Sequence, residues 1–131
     1  MHSDTQRPLT QQHIAGIGVD TVGIDRFEQQ ILRTPRLSER LFTPKEQELP
    51  IRSLAVRFAA KEALIKALGG SYGVWWQDLE VVRSNRQAPN FTATEGLTSL
   101  LHSRGLNWPH LSMTHDGGVA TAFVVLEFFR K

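Results

Sequence analysis

Two acidic residues and one lysine in this 131-residue sequence have the types and spacing that chemistry on a phosphate requires. Asp20 ends a short apolar run that contains glycine, and Glu62 lies in an alanine- and leucine-rich segment typical of a helix. Lys66 falls about 40° from Glu62 around that helix. Two carboxylates from separate elements are the minimum protein contribution to a Mg²⁺ site, because Mg²⁺ takes its other oxygens from water and substrate phosphates. Asp20 and Glu62 together predict such a site.

An arginine, a second lysine and a histidine could add positive charge. Arg57 and Lys61 are one helical turn apart, and this like-charge pair is mildly destabilising unless an anion lies between them. His115 ends a predicted strand, where its ring could donate to a phosphate or orient a proton transfer. These three residues are candidate anion-binding groups.

Each of these features also has a simpler explanation. Asp20 could cap a helix or form a turn. Glu62 and Lys66 could make an ordinary ion pair at i and i+4, and His115 could be a surface residue of a turn. Taken singly, these features do not distinguish the two kinds of explanation.

The spacing of hydrophobic residues predicts the elements that must position these side chains. The predicted helices are one from about Ile24 that ends at Thr34-Pro35, a turn or short helix over Leu37–Phe42, a piece from Thr43 to Pro50, a long helix over Arg52–Leu68, and one over Glu95–Gly105. The predicted strands are Ile14–Asp20, Leu79–Arg83, Phe91–Thr94, Leu111–Thr114 and Val119–Phe129, with a hairpin turn at Asp116-Gly117-Gly118. Early helices and late antiparallel strands predict an α+β domain.

Composition narrows the possible classes of protein. Hydrophobic residues make up 40% and charged residues 21% of the chain, which is typical of one globular domain, here predicted over residues 14–131 after a flexible leader over residues 1–13. The absence of cysteine excludes disulfides, zinc-thiolate sites and a cysteine nucleophile, and favours a cytoplasmic location. No segment reaches the ~20 apolar residues of a membrane span, so no membrane association is expected.

Charge is more informative by region than in total. The formal net charge is +2, but residues 25–66 alone carry +3, from nine Lys or Arg and six Asp or Glu. This distribution predicts a modest basic face toward an anionic ligand or an acidic protein partner. Charge alone does not exclude nucleic acid, although a nucleic-acid-binding protein would have no use for Asp20 and Glu62.

Three motifs, in this order, resemble one family. They are GIGVDTVGIDRF at 16–27, RFAAKEALIKALGG at 57–70 and SMTHDGGVATAFVV at 112–125. The chain is similar, from about Ile14 to Glu127, to the holo-[acyl-carrier-protein] synthases, the short bacterial type of 4′-phosphopantetheinyl transferase.

The resemblance implies both a fold and a reaction. The implied fold is that of the 4′-phosphopantetheinyl transferases, with an antiparallel sheet and a long central helix, assembled as a homotrimer with active sites between subunits. The implied reaction transfers the phosphopantetheine arm of coenzyme A to a serine of apo-acyl carrier protein in fatty acid biosynthesis. It releases adenosine 3′,5′-bisphosphate and requires Mg²⁺.

The resemblance also implies roles for particular residues. Asp20 and Glu62 match the acids that bind Mg²⁺, and Lys66 would stabilise the phosphate in the transition state. Either Glu62 or a metal-bound water could accept the proton of the carrier serine. The candidates for binding the bisphosphate or the 3′-phosphate of coenzyme A are Arg57, Lys61 and His115. The candidates for docking the acidic carrier are Arg26, which lies in a motif, and Arg33, Arg36 and Arg40, which are placed by charge alone.

Some departures from the family pattern leave alternatives open. Gly23 stands where relatives usually carry an acidic residue, and Trp75-Trp76 and Gln87-Ala88-Pro89 differ locally. One alternative keeps the chemistry but serves a carrier domain of a polyketide, fatty-acid or peptide synthase. The other is a non-catalytic module that binds coenzyme A.

Overall fold

Five helices and five strands make up the part of the chain that this computed structural model describes, residues 13–71, 73–83 and 87–129. Except for His13, the predicted leader lies outside the described residues. In chain order the elements are β1 (Ile14–Gly23), α1 (Ile24–Arg33), α2 (Pro35–Leu41), α3 (Pro44–Gln47), α4 (Ile51–Leu68), a 3₁₀ turn (Trp76–Leu79), β2 (Val81–Val82), β3 (Asn90–Phe91), α5 (Glu95–Ser103), β4 (His110–Asp116) and β5 (Val119–Glu127).

The main sheet has three antiparallel strands in the order β1, β5, β4, so the last strand of the chain lies in the middle. α4 packs across one face of this sheet. Alternate β5 residues Ala122, Val124 and Leu126 are buried in the same core as four alanines of α4, which are Ala59, Ala60, Ala63 and Ala67. This architecture confirms the predicted α+β class, with an antiparallel sheet and a long central helix.

β1 extends further than the sequence predicts. The expected strand ends at Asp20, but pairing with β5 continues to Gly23, which lies opposite Val119. Asp20 is opposite Ala122, within the strand, so the prediction that it emerges at the strand end is wrong. The cause is that the two residues after Asp20 continue the alternation of exposed and half-buried side chains.

The predicted strands Leu79–Arg83 and Phe91–Thr94 are also wrong in extent. Each contributes only two residues, β2 and β3, to a separate small sheet. Leu79 instead ends the 3₁₀ turn, and Thr94 caps α5 by accepting a hydrogen bond from the Leu97 amide (3.2 Å). Local turn and capping interactions therefore shorten both strands.

Capping features define two further helix ends. Thr43 and Glu46 form a reciprocal capping box at the start of α3. α4 ends at Gly69, whose φ of 84° suits a residue without a Cβ atom. None of the helices in the described ranges is both long and apolar enough to span a membrane.

Two glycines of β1 allow α4 to approach the sheet closely. A Cβ atom on Gly16 would lie 2.0 Å from the Ala67 carbonyl oxygen, and one on Gly18 would lie 1.8 Å from the Ala63 carbonyl oxygen. No side chain fits at either position. This contact brings the next inward-facing residue of β1, Asp20, beside α4.

Candidate active site

A pocket of about 300 Å³ lies where β1, α1 and α4 meet, and it contains both predicted metal ligands. β1 contributes Asp20, and α4 contributes Glu62 together with Phe58. α1 contributes Arg26 and Phe27. Residues from the first two sequence motifs are therefore brought together by the packing of α4 on β1.

Lys66 bonds to Asp20 rather than to Glu62. The Lys66 Nζ atom donates to Asp20 Oδ1 (2.9 Å) and to the carbonyl oxygen of Val19 (3.1 Å). The Lys66 side chain is 53% exposed, and that of Asp20 is 16% exposed. The simpler alternative of an ordinary Glu62–Lys66 ion pair is thus not what the structure contains, because Lys66 links two separate elements.

The environment of this pocket raises the pKa values of both Glu62 and Lys66. Burial, and then the negative charge of Asp20, raise the pKa of Glu62 above its usual value, while Lys66 opposes the rise. The hydrogen bond and the charge of Asp20 raise the pKa of Lys66. A carboxylate that is costly to ionise beside a second carboxylate favours a cation between the two.

The oxygen donors in the pocket suit a hydrated divalent cation. Among the described residues there is no cluster of three or more His, Cys, Asp or Glu side chains that could enclose a metal. Mg²⁺ needs no such cluster, since one or two carboxylates suffice when water and phosphate oxygens supply the rest. Asp20 Oδ2 and the Glu62 carboxylate accept no hydrogen bond from another described residue, so Asp20 and Glu62 fit Mg²⁺ in this manner.

Two aromatic rings, those of Phe27 and Phe58, line one side of the pocket, and the sequence analysis did not predict that they stack. Phe27 and Phe58 stack with their ring centroids 5.4 Å apart, and Phe58 stacks on Trp76 at 5.7 Å. The helical spacing that places Phe58 about 40° from Glu62 was the signal for its position. Nothing in the local sequence indicated that Phe27 and Trp76 flank it.

Arg57 lies in a different pocket, of about 150 Å³, on the other side of α4. At about 100° per residue it is roughly 140° from Glu62 around the helix axis. The charged residues that line this second pocket are Lys45, Glu46, Arg57, Glu80 and Arg83. Within one chain, Arg57 therefore does not join Asp20 and Glu62.

Arg57 is a largely buried residue that is anchored by backbone carbonyls. Its Nε donates to the Val81 oxygen and its Nη1 to the Ser53 oxygen, both at 3.3 Å. A guanidinium has five N–H donors, so three remain for a ligand as far as the described residues show. In the same pocket, burial raises the pKa of Glu80, but hydrogen bonds from Thr43 and Thr92 with the charges of Lys45 and Lys61 outweigh it and lower the pKa.

The expectation that Lys61 binds a phosphate of coenzyme A is wrong. Its side chain is fully buried, and Nζ donates to the Leu41 oxygen (2.6 Å), Glu46 Oε1 (2.7 Å) and the Trp76 oxygen (3.2 Å). All three ammonium protons are therefore used inside the protein. Helical spacing placed Lys61 beside Arg57, but it could not reveal that the segment around α3 covers it.

His115 lies apart from both pockets. It is exposed on β4, opposite Ala120, and β5 separates it from β1. Neither the lining of the Asp20 pocket nor that of the Arg57 pocket includes His115. In a single chain, it is not positioned to act with Glu62.

The face of the main sheet that α4 does not cover is apolar and exposed. Ile17, Val19 and Phe123 lie side by side there on β1 and β5, with exposed fractions of 58%, 51% and 43%. Val119 continues the patch at one end. We call these four residues the open sheet face, and an exposed apolar patch of this kind is typical of a protein interface.

Comparison with known proteins places the chain among enzymes of one kind. The family model described as the 4′-phosphopantetheinyl transferase superfamily matches residues 16–124. A holo-[acyl-carrier-protein] synthase of Leifsonia xyli subsp. xyli is 56% identical over 114 residues, which cover 87% of this chain and 97% of the relative. A holo-[acyl-carrier-protein] synthase of Kocuria rhizophila is 52% identical over the same length.

Solved structures agree with this result. A holo-[acyl-carrier-protein] synthase from Neisseria meningitidis has a TM-score of 0.78 and 30% identity, and the match covers 87% of this chain and 98% of that one. The Helicobacter pylori holo-[acyl-carrier-protein] synthase in complex with coenzyme A has a TM-score of 0.73 and 31% identity, covering 84% and 98%.

Proposed function

The chain belongs to the 4′-phosphopantetheinyl transferase superfamily, and we propose that the pocket at Asp20 and Glu62 is where it carries out transfer. The activity is that of a holo-[acyl-carrier-protein] synthase, which moves the 4′-phosphopantetheine arm of coenzyme A to a serine of apo-acyl carrier protein in fatty acid biosynthesis. The serine oxygen forms a bond to the β-phosphorus while the bond from that phosphorus to the bridging pyrophosphate oxygen breaks. Adenosine 3′,5′-bisphosphate leaves with the bridging oxygen, and the serine proton passes to Glu62 or to water. The observation that carries the proposal is that Asp20 and Glu62 line one pocket and that Lys66 bonds to Asp20.

Asp20 and Glu62 would hold Mg²⁺ in this pocket. When bound, the ion would neutralise negative charge on the pyrophosphate oxygens of coenzyme A. The raised pKa of Glu62 supports the assignment, because the burial and the nearby charge of Asp20 that make its ionisation costly also make it a strong partner for a cation.

Lys66 would act on the phosphate that is transferred. Two of its three ammonium protons go to Asp20 and Val19, which fixes the side chain although it is half exposed. The third proton is then available to a phosphate oxygen at the pocket mouth. A fixed positive charge placed where negative charge develops lowers the barrier without reorganisation.

The Arg57 pocket would bind the 3′-phosphate of coenzyme A. Lys45, Arg57 and Arg83 supply three positive charges around a small concavity, and Arg57 keeps donors available. Because Arg57 and Glu62 lie on different sides of α4, one coenzyme A molecule would have to follow the protein surface between them. A neighbouring subunit in a trimer would complete this path and could supply His115.

The exposed arginines of α1 and α2 would dock the acidic carrier protein. Arg26 is exposed at the edge of the Asp20 pocket, and Arg33, Arg36 and Arg40 are exposed further along the chain. Charge complementarity of this kind raises the rate of encounter. We expect Arg26→Glu to raise KM for the carrier at least tenfold while KM for coenzyme A changes less than twofold. An equal change in both constants would contradict a docking role.

The open sheet face would form the contact between subunits of a homotrimer. Three large apolar side chains exposed on one face of an antiparallel sheet are costly to leave in water. Light scattering after size exclusion would measure the mass of the assembly for the wild type and for Phe123→Glu. Leu32→Glu, which changes a 72% exposed residue of α1, is the control for adding charge at an apolar surface position. A cytoplasmic location is proposed with this function and agrees with the absence of cysteine.

Substitution of the two acids tests the assignment of the pocket. We expect Glu62→Gln and Asp20→Asn each to lower the transfer rate about 100-fold or more, because each removes a charge that acts on the transition state. Glu48→Gln, which changes an exposed glutamate outside the pocket, is the control. Near wild-type transfer by Glu62→Gln at low Mg²⁺ would contradict the assignment, and coenzyme A binding without any transfer by the wild type would favour a non-catalytic module.

A further inference from the structure

The buried pair of Lys61 and Glu46 has no role in the reaction as proposed so far. The two side chains are 0% and 2% exposed, and their charged atoms are 2.7 Å apart. A buried ion pair adds little net stability compared with apolar residues of the same size, because both charges lose their hydration. The surroundings of the pair indicate what else it does.

Glu46 connects Lys61 to the Arg57 pocket through the backbone of Val81. Glu46 Oε1 accepts from Lys61, and Oε2 accepts from the Val81 amide at 2.9 Å. The carbonyl oxygen of the same Val81 accepts from Arg57 Nε at 3.3 Å. A continuous chain of hydrogen bonds therefore runs from the Lys61 ammonium to the Arg57 guanidinium.

Charge balance gives the pair a second effect on the same pocket. Glu46 is one of two carboxylates, with Glu80, in the lining of a pocket that also holds Lys45, Arg57 and Arg83. Without Lys61, its negative charge would attract Arg57 and repel an anion. With Lys61 bonded to it, the positive charge of the pocket stays available to a ligand.

We propose that Lys61 is a positioning residue for phosphate binding: through Glu46 and Val81 it holds Arg57 in place, and it cancels the charge of Glu46 so that the Arg57 pocket accepts the 3′-phosphate of coenzyme A. The inference rests on the proposed function, in which this pocket binds that phosphate. Lys61 itself does not touch the substrate, because all its protons are engaged.

The test compares coenzyme A with dephospho-coenzyme A, which lacks only the 3′-phosphate, in steady-state transfer to apo-acyl carrier protein. The quantity of interest is the ratio of the two KM values. For the wild type we expect KM for dephospho-coenzyme A to be clearly higher than KM for coenzyme A, and we call this ratio the preference for coenzyme A. If the wild type does not discriminate, the assignment of the pocket to the 3′-phosphate fails before Lys61 is examined.

Three variants then separate an electrostatic role from a merely structural one. Lys61→Met should reduce the preference about tenfold, because it leaves a negative charge in the pocket. Glu46→Gln should increase the preference or leave it unchanged. The double variant Lys61→Met/Glu46→Gln, which is again balanced in charge, should return the preference to within about threefold of the wild type, and the remaining difference measures the loss of the hydrogen bond that positions Arg57.

The double variant also protects the test against loss of folding. Lys61→Met leaves Glu46 buried without a cation, whereas the double variant does not, so a folded protein is expected in at least two of the three cases. Glu48→Gln serves as the control for removing a nearby exposed carboxylate. Equal changes for both substrates, or no recovery in the double variant, would overturn the proposal.

Discussion

Replacing Gly18 by alanine is expected to push β1 and α4 apart and so to disturb the proposed active pocket, which lies between them. The added Cβ atom would lie 1.8 Å from the carbonyl oxygen of Ala63 and 2.8 Å from the amide nitrogen of Ala67. Both are backbone atoms of α4, so no side-chain rotation relieves the contact. Reaching the 3.4 Å of an ordinary contact requires a displacement of about 1.6 Å between β1 and α4. Ala63 adjoins Glu62, and Gly18 is two residues from Asp20.

The size of the effect follows from this displacement. Overpacking a core usually costs about 1–3 kcal/mol, and a clash with backbone belongs at the upper end. For a chain of this size, ~3 kcal/mol corresponds to a fall of roughly 10 °C in Tm. A misplacement of about 1 Å between catalytic groups lowers a rate by about 100-fold. We expect Gly18→Ala to show both losses.

Thermal unfolding by circular dichroism and single-turnover transfer to apo-acyl carrier protein measure the two effects. Gly23→Ala is the matched control for stability, because its Cβ would meet nothing closer than Arg26 Cβ at 3.7 Å and its φ is −70°. The control should change the free energy of unfolding by less than about 1 kcal/mol. A Gly18→Ala protein with Tm within ~2 °C of the wild type and a transfer rate within about threefold would refute the reasoning.

Three further predictions follow from the same contacts. Asp20→Asn should lower the pKa of Glu62, because it removes the negative charge that helps to raise it, and NMR titration of the carboxyl group measures this change. Because the pKa of Glu62 is raised in the folded state, the free energy of unfolding of the wild type should fall as pH rises from 4.5 through that raised pKa. Lys61→Met should destabilise the fold by about 3–5 kcal/mol in urea unfolding, because Glu46 keeps a buried charge without its partner, and a loss below ~1 kcal/mol would contradict the pairing. Phe123→Glu should reduce the assembly to monomers in light scattering, and an unchanged mass would exclude the open sheet face as the subunit contact.

The sequence predicts that Asp20, Glu62 and Lys66 act together, and the structure brings these three residues close to one another. The spacing of Glu62 and Lys66 fixes them on one side of α4, and the family resemblance adds Asp20 to them. The α+β class follows from the change of hydrophobic period along the chain. These features depend on local geometry, which a sequence records directly.

The predictions fail where segments that are distant in the sequence determine the surroundings of a residue. Lys61 and Arg57 look alike on a helical projection, but Glu46, 15 residues before Lys61, accepts a hydrogen bond from Lys61, whereas Arg57 donates to backbone carbonyls. The stacking of Trp76 on Phe58 and the two-residue length of β2 likewise depend on packing between separate parts of the chain. Periodicity contains no information about such contacts.

Intact-mass spectrometry of an apo-acyl carrier protein is the most direct test of metal-dependent transfer at the Asp20 pocket. The carrier is incubated with coenzyme A and this protein, with Mg²⁺ or with a chelator, and with the wild type or Glu62→Gln. We predict a gain of one phosphopantetheine arm for the wild type with Mg²⁺ alone, and little or none in the other three cases. Full modification in the presence of the chelator, or by Glu62→Gln, would contradict the assignment of Asp20 and Glu62 as the metal-binding acids.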